Sequence, residues 1–234
     1  MTTAHAKPQG DLARILVAEA LGTALLIIAV VGSGIMAETL SPNDVGIQLL
    51  ENAIATGGAL VGLILMFATV SGAQFNPLVT LMAVMDRSHT PGSGLAIVVA
   101  QICGGVVGTL SANAMFGHPT LEWSTKVRSG GPLWFSEAIA AFGLVLLIAS
   151  LVRTNRESFV PIAVGAWITG AYWFTSSTSF ANPAVTIARM FSDSFAGIKP
   201  SSVPMFIVMQ LIGALVAIAA ATFLYPARRR TDQM

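Results

Sequence analysis

Apolar residues run almost unbroken through six segments of this chain. They are roughly Leu12–Met36, Glu51–Ser71, Leu95–Phe116, Leu133–Leu151, Phe159–Thr178 and Val203–Tyr225. A helix needs about 20 such residues to cross the hydrocarbon of a bilayer. The runs are continuous and do not alternate every second residue, so they predict spanning helices and not the strands of a membrane barrel. The first run is too long for a signal-peptide core, contains Glu19 and lacks a clean small-residue cleavage site. Between the runs lie short loops, and two further helical stretches, Pro77–Met85 and Pro183–Phe191, each too short to span.

Composition agrees with the pattern. Of 234 residues 54% are hydrophobic and 10% charged, against about 25% charged in a soluble domain. Disorder, coiled coil and most soluble enzymes are excluded. A net charge of +1 offers nothing to nucleic acid. The single Cys103 cannot form an intrachain disulfide. Six spans place both termini on one side, and the distribution of Lys and Arg chooses which. With the termini cytoplasmic, the inner set is Lys7, Arg14, Arg87, Arg153, Arg156, Arg228, Arg229 and Arg230; the outer set is Lys126, Arg128, Arg189 and Lys199. Eight against four predicts cytoplasmic termini. Helices of this kind belong to a cell (inner) membrane, and the whole chain, 1–234, reads as one channel or transport domain in a lipid bilayer.

The chain also repeats itself. Phe75-Asn76-Pro77-Leu78-Val79-Thr80 matches Ala181-Asn182-Pro183-Ala184-Val185-Thr186, 106 positions apart (182 − 76). Glu19-Ala20 matches Glu137-Ala138, and Gln101-Ile102-Cys103-Gly104 matches Gln210-Leu211-Ile212-Gly213, in the same order. The halves are about 11–117 and 130–226. Each holds three spans, an odd number, so the second half inserts upside down, and a shared site lies near the midplane. Buried acids in hydrocarbon need partners. Glu19 and Glu137 are therefore expected to accept hydrogen bonds from non-helical backbone and not to carry protons.

Asn is a strong helix N-cap, and Pro suits the first helical position because its missing N–H would be unpaired there anyway. Each Asn-Pro thus starts a helix of about 14 Å, half a bilayer. Two such pieces entering from opposite faces point their positive dipole ends at one another.

The doubled motif, Ser71-Gly72-Ala73-Gln74-Phe75-Asn76-Pro77-Leu78-Val79-Thr80 with Phe180-Ala181-Asn182-Pro183-Ala184-Val185-Thr186, resembles that of the aquaporin or major intrinsic protein family. The resemblance runs over about residues 11 to 226. It implies an aquaporin-like fold of six transmembrane helices and two re-entrant half-helices, a homotetramer with a pore in each subunit, no cofactor, no bound metal and no catalysis. It further implies that Asn76 and Asn182 donate hydrogen bonds to the permeating molecule, and that Glu19 and Glu137 brace the re-entrant loops.

The chain departs from that family at two places. The first motif ends in Leu78 instead of Ala. More consequentially, Val185 stands where water- and glycerol-selective members carry Arg. Counting back from the motifs, the remaining filter positions fall on Thr56, Gly170 and Ser179. Four small uncharged residues predict a wide filter, suited to small neutral solutes: water, glycerol, urea, and metalloid acids such as arsenite. Aquaglyceroporins found beside bacterial arsenic-resistance genes are the subgroup it resembles, which adds methylated arsenicals. Arg189 lies four residues past Val185 and so on the same helix face. An ion pair with Asp193 is the reading that spacing favours; projection into the outer vestibule is the other. His5, His89 and His118 read as surface histidines. An ion-coupled secondary transporter is the competing function, since inverted repeats and broken helices serve carriers too.

Overall fold

The computed structural model describes residues 11–226; His5, Lys7 and Arg228–Arg230 lie outside them. Among the described residues all regular structure is helical. The order is α1 (Leu12–Leu40), α2 (Val45–Ser71), α3 (Pro77–Met85) and α4 (Pro91–Met115), then α5 (Gly131–Arg153), α6 (Val160–Phe174), α7 (Pro183–Ala188) and α8 (Val203–Leu224). Each half therefore runs long, long, short, long.

Helix starts follow local capping chemistry. The carboxylates of Asp11 and Asp44 and the hydroxyl of Thr90 accept backbone N–H groups at the heads of α1, α2 and α4. Asp44 explains why α2 begins six residues ahead of the expected Glu51: a capped, largely apolar turn (Val45–Leu50) precedes it. Five helices, α1, α2, α4, α5 and α8, are long and apolar enough to cross a membrane. Helix α6 is shorter than the sequence suggested, 15 residues where Phe159–Thr178 was expected. Its run ends at Phe174 because the Thr175–Ser179 stretch leaves the helix to feed the second Asn-Pro loop. The second half-helix likewise gives way after Ala188 to a 3-10 turn, Arg189–Phe191.

Packing pairs α1 with α4 and α5 with α8, while α2 meets α6 across the seam between halves. Close approach depends on glycine. A Cβ on Gly104 or Gly108 would overlap the carbonyls of Ala20 or Ala24 in α1, and one on Gly213 would overlap that of Ala138 in α5. The Gly104-x-x-x-Gly108 spacing is thus spent on backbone contact between α1 and α4. Lipid-sized side chains cover the outside: Leu65, Phe135, Ile162 and Phe223 are all exposed.

Candidate functional site

Each Asn-Pro loop adopts backbone that side chains other than Gly rarely accept. Ala73 and Phe75 have φ of 49° and 48°; Ser179 and Ala181, 106 positions later, have 50° and 47°. Such conformations cost on the order of 1 kcal/mol or more each, so the surroundings must hold them. They do so by a closely parallel set of bonds in the two halves. The Ser71 hydroxyl accepts from Ala73 N–H (3.1 Å), and the Ser177 hydroxyl from Ser179 N–H (3.2 Å). Glu19, fully buried, accepts from Gln74 N–H (2.9 Å), Phe75 N–H (2.7 Å), the Ser71 hydroxyl (2.6 Å) and the Gln101 amide (2.8 Å). Glu137, also fully buried, accepts from Phe180 N–H (3.0 Å), Ala181 N–H (3.0 Å) and the Gln210 amide (2.6 Å). Gln101 donates onward to Thr80 (3.1 Å), Gln210 to Thr186 (2.9 Å). The two glutamines carry out a task that the sequence reading did not assign; an amide repeated at the same place in two apolar spans was the available sign.

The loops then cross-link. The Asn76 amide donates to the Ala181 carbonyl (2.8 Å), and the Asn182 amide donates to the Phe75 carbonyl (2.7 Å). Their side-chain oxygens cap the half-helices: Asn76 accepts from Leu78 N–H (2.9 Å), Asn182 from Ala184 N–H (3.0 Å) and Val185 N–H (3.2 Å). An amide NH2 has two donors. Each Asn keeps a second N–H, and both residues line the central cavity. Leu78 is fully buried and, like Pro77, Pro183 and Ala184, does not line it.

The cavity has two unlike walls. One is made of the loops, residues 72–76 and 179–182. The other is built of side chains spaced by four: Leu26 and Val30 on α1, Thr56, Leu60 and Ile64 on α2, Leu144 and Ile148 on α5, and Val160, Val164, Ile168 and Tyr172 on α6. That spacing keeps one face of each helix inward. It also corrects the reading of Gly170. Two residues from both Ile168 and Tyr172, Gly170 sits about 200° around α6 and does not line the cavity. Tyr172 lines the cavity, its hydroxyl 3.2 Å from that of Thr56. Thr56, Ser179 and Val185 do line the cavity.

Arg189 lines the cavity too, 1% exposed, and the expected pair with Asp193 does not form. The Asp193 carboxylate is taken by Thr125, through its N–H (2.9 Å) and hydroxyl (3.0 Å). Arg189 Nε donates instead to the Ala196 carbonyl, with the guanidinium 3.4 Å from the Phe180 ring centre. Arg128 approaches the same ring at 5.0 Å. Two of the four cations assigned to outer loops are thus buried against Phe180, which lines the cavity. Lys126 nearby is half-buried, its Nζ 2.9 Å from the Phe195 carbonyl. Burial, then the neighbouring charges of Arg128 and Arg189, lower its pKa to about 8. Near the other loop, His89 Nε2 lies 2.9 Å from the Gln74 amide, and burial lowers its pKa against the pull of Glu19. His118 faces Glu122 at 3.8 Å. Among the described residues no cluster of His, Cys, Asp and Glu could hold a metal.

The family model for major intrinsic proteins matches residues 8–179 and 159–234. The chain belongs to that family. It is 50% identical over 219 residues to aquaglyceroporin AqpS of Rhizobium meliloti (strain 1021), covering 93% of each chain. Nodulin-26 of Glycine max is 28% identical over 224 residues, 93% of this chain and 79% of that one. The fold is also that of the aquaglyceroporin from Plasmodium falciparum, with a TM-score of 0.73 at 20% identity over 92% of this chain and 98% of that one. As a major intrinsic protein it is a multi-pass membrane channel and not an enzyme, passing small neutral solutes passively.

Proposed function

We propose that the central cavity is the conduit, and that it passes glycerol, urea and hydroxylated metalloid acids such as arsenite, with methylated arsenicals, as well as water. The observation that carries this reading is the pair of asparagine amides, each anchored by one N–H across the loops and left with another beside a wall of Leu, Ile and Val side chains. A molecule with a row of hydroxyls along one side and C–H along the other fits between such walls. Thr56, Ser179 and Val185, with Tyr172 in place of Gly170, form the selective mouth. Tyr172 makes that mouth tighter than four small residues would. The 50% identity to a protein named aquaglyceroporin supports glycerol. Four copies assemble as a homotetramer, each with its own conduit, in the cell (inner) membrane with both termini cytoplasmic; the bias of Lys and Arg supports that orientation.

Stopped-flow light scattering on proteoliposomes tests the reading across water, glycerol, urea and arsenite. Flux proportional to the gradient and indifferent to voltage and pH is expected. Saturating uptake that requires an ion gradient would identify a coupled carrier and overturn the proposal.

A further inference from the structure

We propose that Arg189 restores to the conduit the positive charge that Val185 removes, and that with Ser179 it forms a docking point for a solute hydroxyl or acid oxygen. The proposal rests on the cavity being the conduit. Arg189 follows Val185 by four positions, just past the end of α7, so the two face the same way, and both line the cavity.

The two nearby arginines are in opposite states. Arg128 is bonded through all three of its nitrogens: Nε donates to the Gly197 carbonyl (2.8 Å), Nη1 to that of Ser177 (3.3 Å) and Nη2 to that of Phe195 (3.0 Å). It holds loops together. Arg189 is held only by Ala196 through Nε and by the Phe180 face, and its Nη2 has no partner although it is buried. The Ser179 hydroxyl, lining the same cavity, has none either. Two buried polar groups left unpaired in the lining of one cavity are costly unless something in the conduit completes them. An oxygen that accepts from the guanidinium and the serine hydroxyl does so; a polyol or an undissociated oxyacid supplies one. A cation at the same point meets Arg189 with Arg128 and Lys126 close by, inside a weakly screened wall. The barrier has moved four positions past Val185, into the 3-10 turn that follows α7, and has not been lost.

The test uses the full chain in proteoliposomes, with a pH-sensitive dye reading proton leak under an imposed potential, and light scattering reading water and glycerol flux. Wild-type leak should match empty vesicles; leak well above that overturns the proposal without recourse to any variant. In Arg189→Gln the ratio of leak to glycerol flux should rise tenfold or more, and glycerol flux should fall severalfold relative to water. Arg189→Lys should keep the leak ratio of the wild type, and Val185→Arg added to Arg189→Gln should return it to that level. Unchanged ratios in Arg189→Gln, or a leak that Val185→Arg does not reduce, overturn the proposal. If Arg189→Gln does not fold, leak above empty vesicles in Arg189→Lys overturns it. Wild-type protein that passes no glycerol would overturn the conduit assignment and this proposal with it, a result distinct from leak.

Discussion

Replacing Glu137 isolates the force that holds the second loop in its unfavourable backbone. Its carboxylate takes three donors, Phe180 N–H, Ala181 N–H and the Gln210 amide. In Glu137→Gln one end of the side chain becomes a donor itself, so at least one buried N–H loses its acceptor, at about 1–3 kcal/mol. The remaining bonds drop from charge-assisted to neutral, roughly 1 kcal/mol each, while relief from burying a charge returns part of that. A net loss of about 2–3 kcal/mol follows. Glu137→Leu orphans all three donors, for about 3–9 kcal/mol. Glu19 accepts from four, so Glu19→Leu should be worst, at about 4–12 kcal/mol by the same count. Unfolding by SDS titration in mixed micelles measures the order, and glycerol flux should fall in parallel as the loops relax. Equal stability of Glu137→Gln and wild type, or of Glu137→Gln and Glu137→Leu, would refute the claim that these acids act by the number of donors they satisfy.

Gly213→Ala places a methyl on the Ala138 carbonyl, and backbone cannot yield as a side chain can, so α5 and α8 must separate; a loss of about 1–3 kcal/mol should appear in the same titration, with Gly58→Ala, where a Cβ meets nothing, as the neutral comparison. Val185→Arg should cut glycerol flux more than water flux in light scattering, because it adds a long side chain to the cavity wall; equal losses would show that Val185 does not face the narrowest point. Lys126 gives a pH dependence. Its folded pKa of about 8 lies below the ordinary 10.5, so between those values the unfolded chain holds more protons, and stability should rise with pH across that window and be flat below it. A thermal-unfolding series from pH 7 to 10 checks this, and Lys126→Gln should lose the rise.

The half-helices were legible because their signals are local. Asn caps and Pro at the first turn need no partner to be read, and the repeat at 106 positions ties the two together; the nine-residue length held for α3 and not for α7. Buried acids stand out for a similar reason: a carboxylate in an apolar run has to be answered by donors, and the nearest non-helical backbone supplies them. Counting back along the chain reached two residues that line the cavity, Thr56 and Ser179, and in Gly170 one that does not. Which face of α6 turns inward depends on how that helix seats against α2, through Gly57 and Gly165, and no rule of spacing from Asn182 contains that rotation.

Arg189 marks the boundary most clearly. Sequence offered it a carboxylate four residues away, and on an isolated helix the two would meet. Helix α7 stops after six residues, so the register that pair needs does not exist, and Thr125 of a distant loop reaches Asp193 first. The order of the helices, the paired motifs and the membrane they cross were settled by the apolar pattern, because transfer from water and backbone satisfaction act residue by residue. What faces the conduit was settled by packing, because a side chain's direction is set by neighbours hundreds of atoms away along the chain.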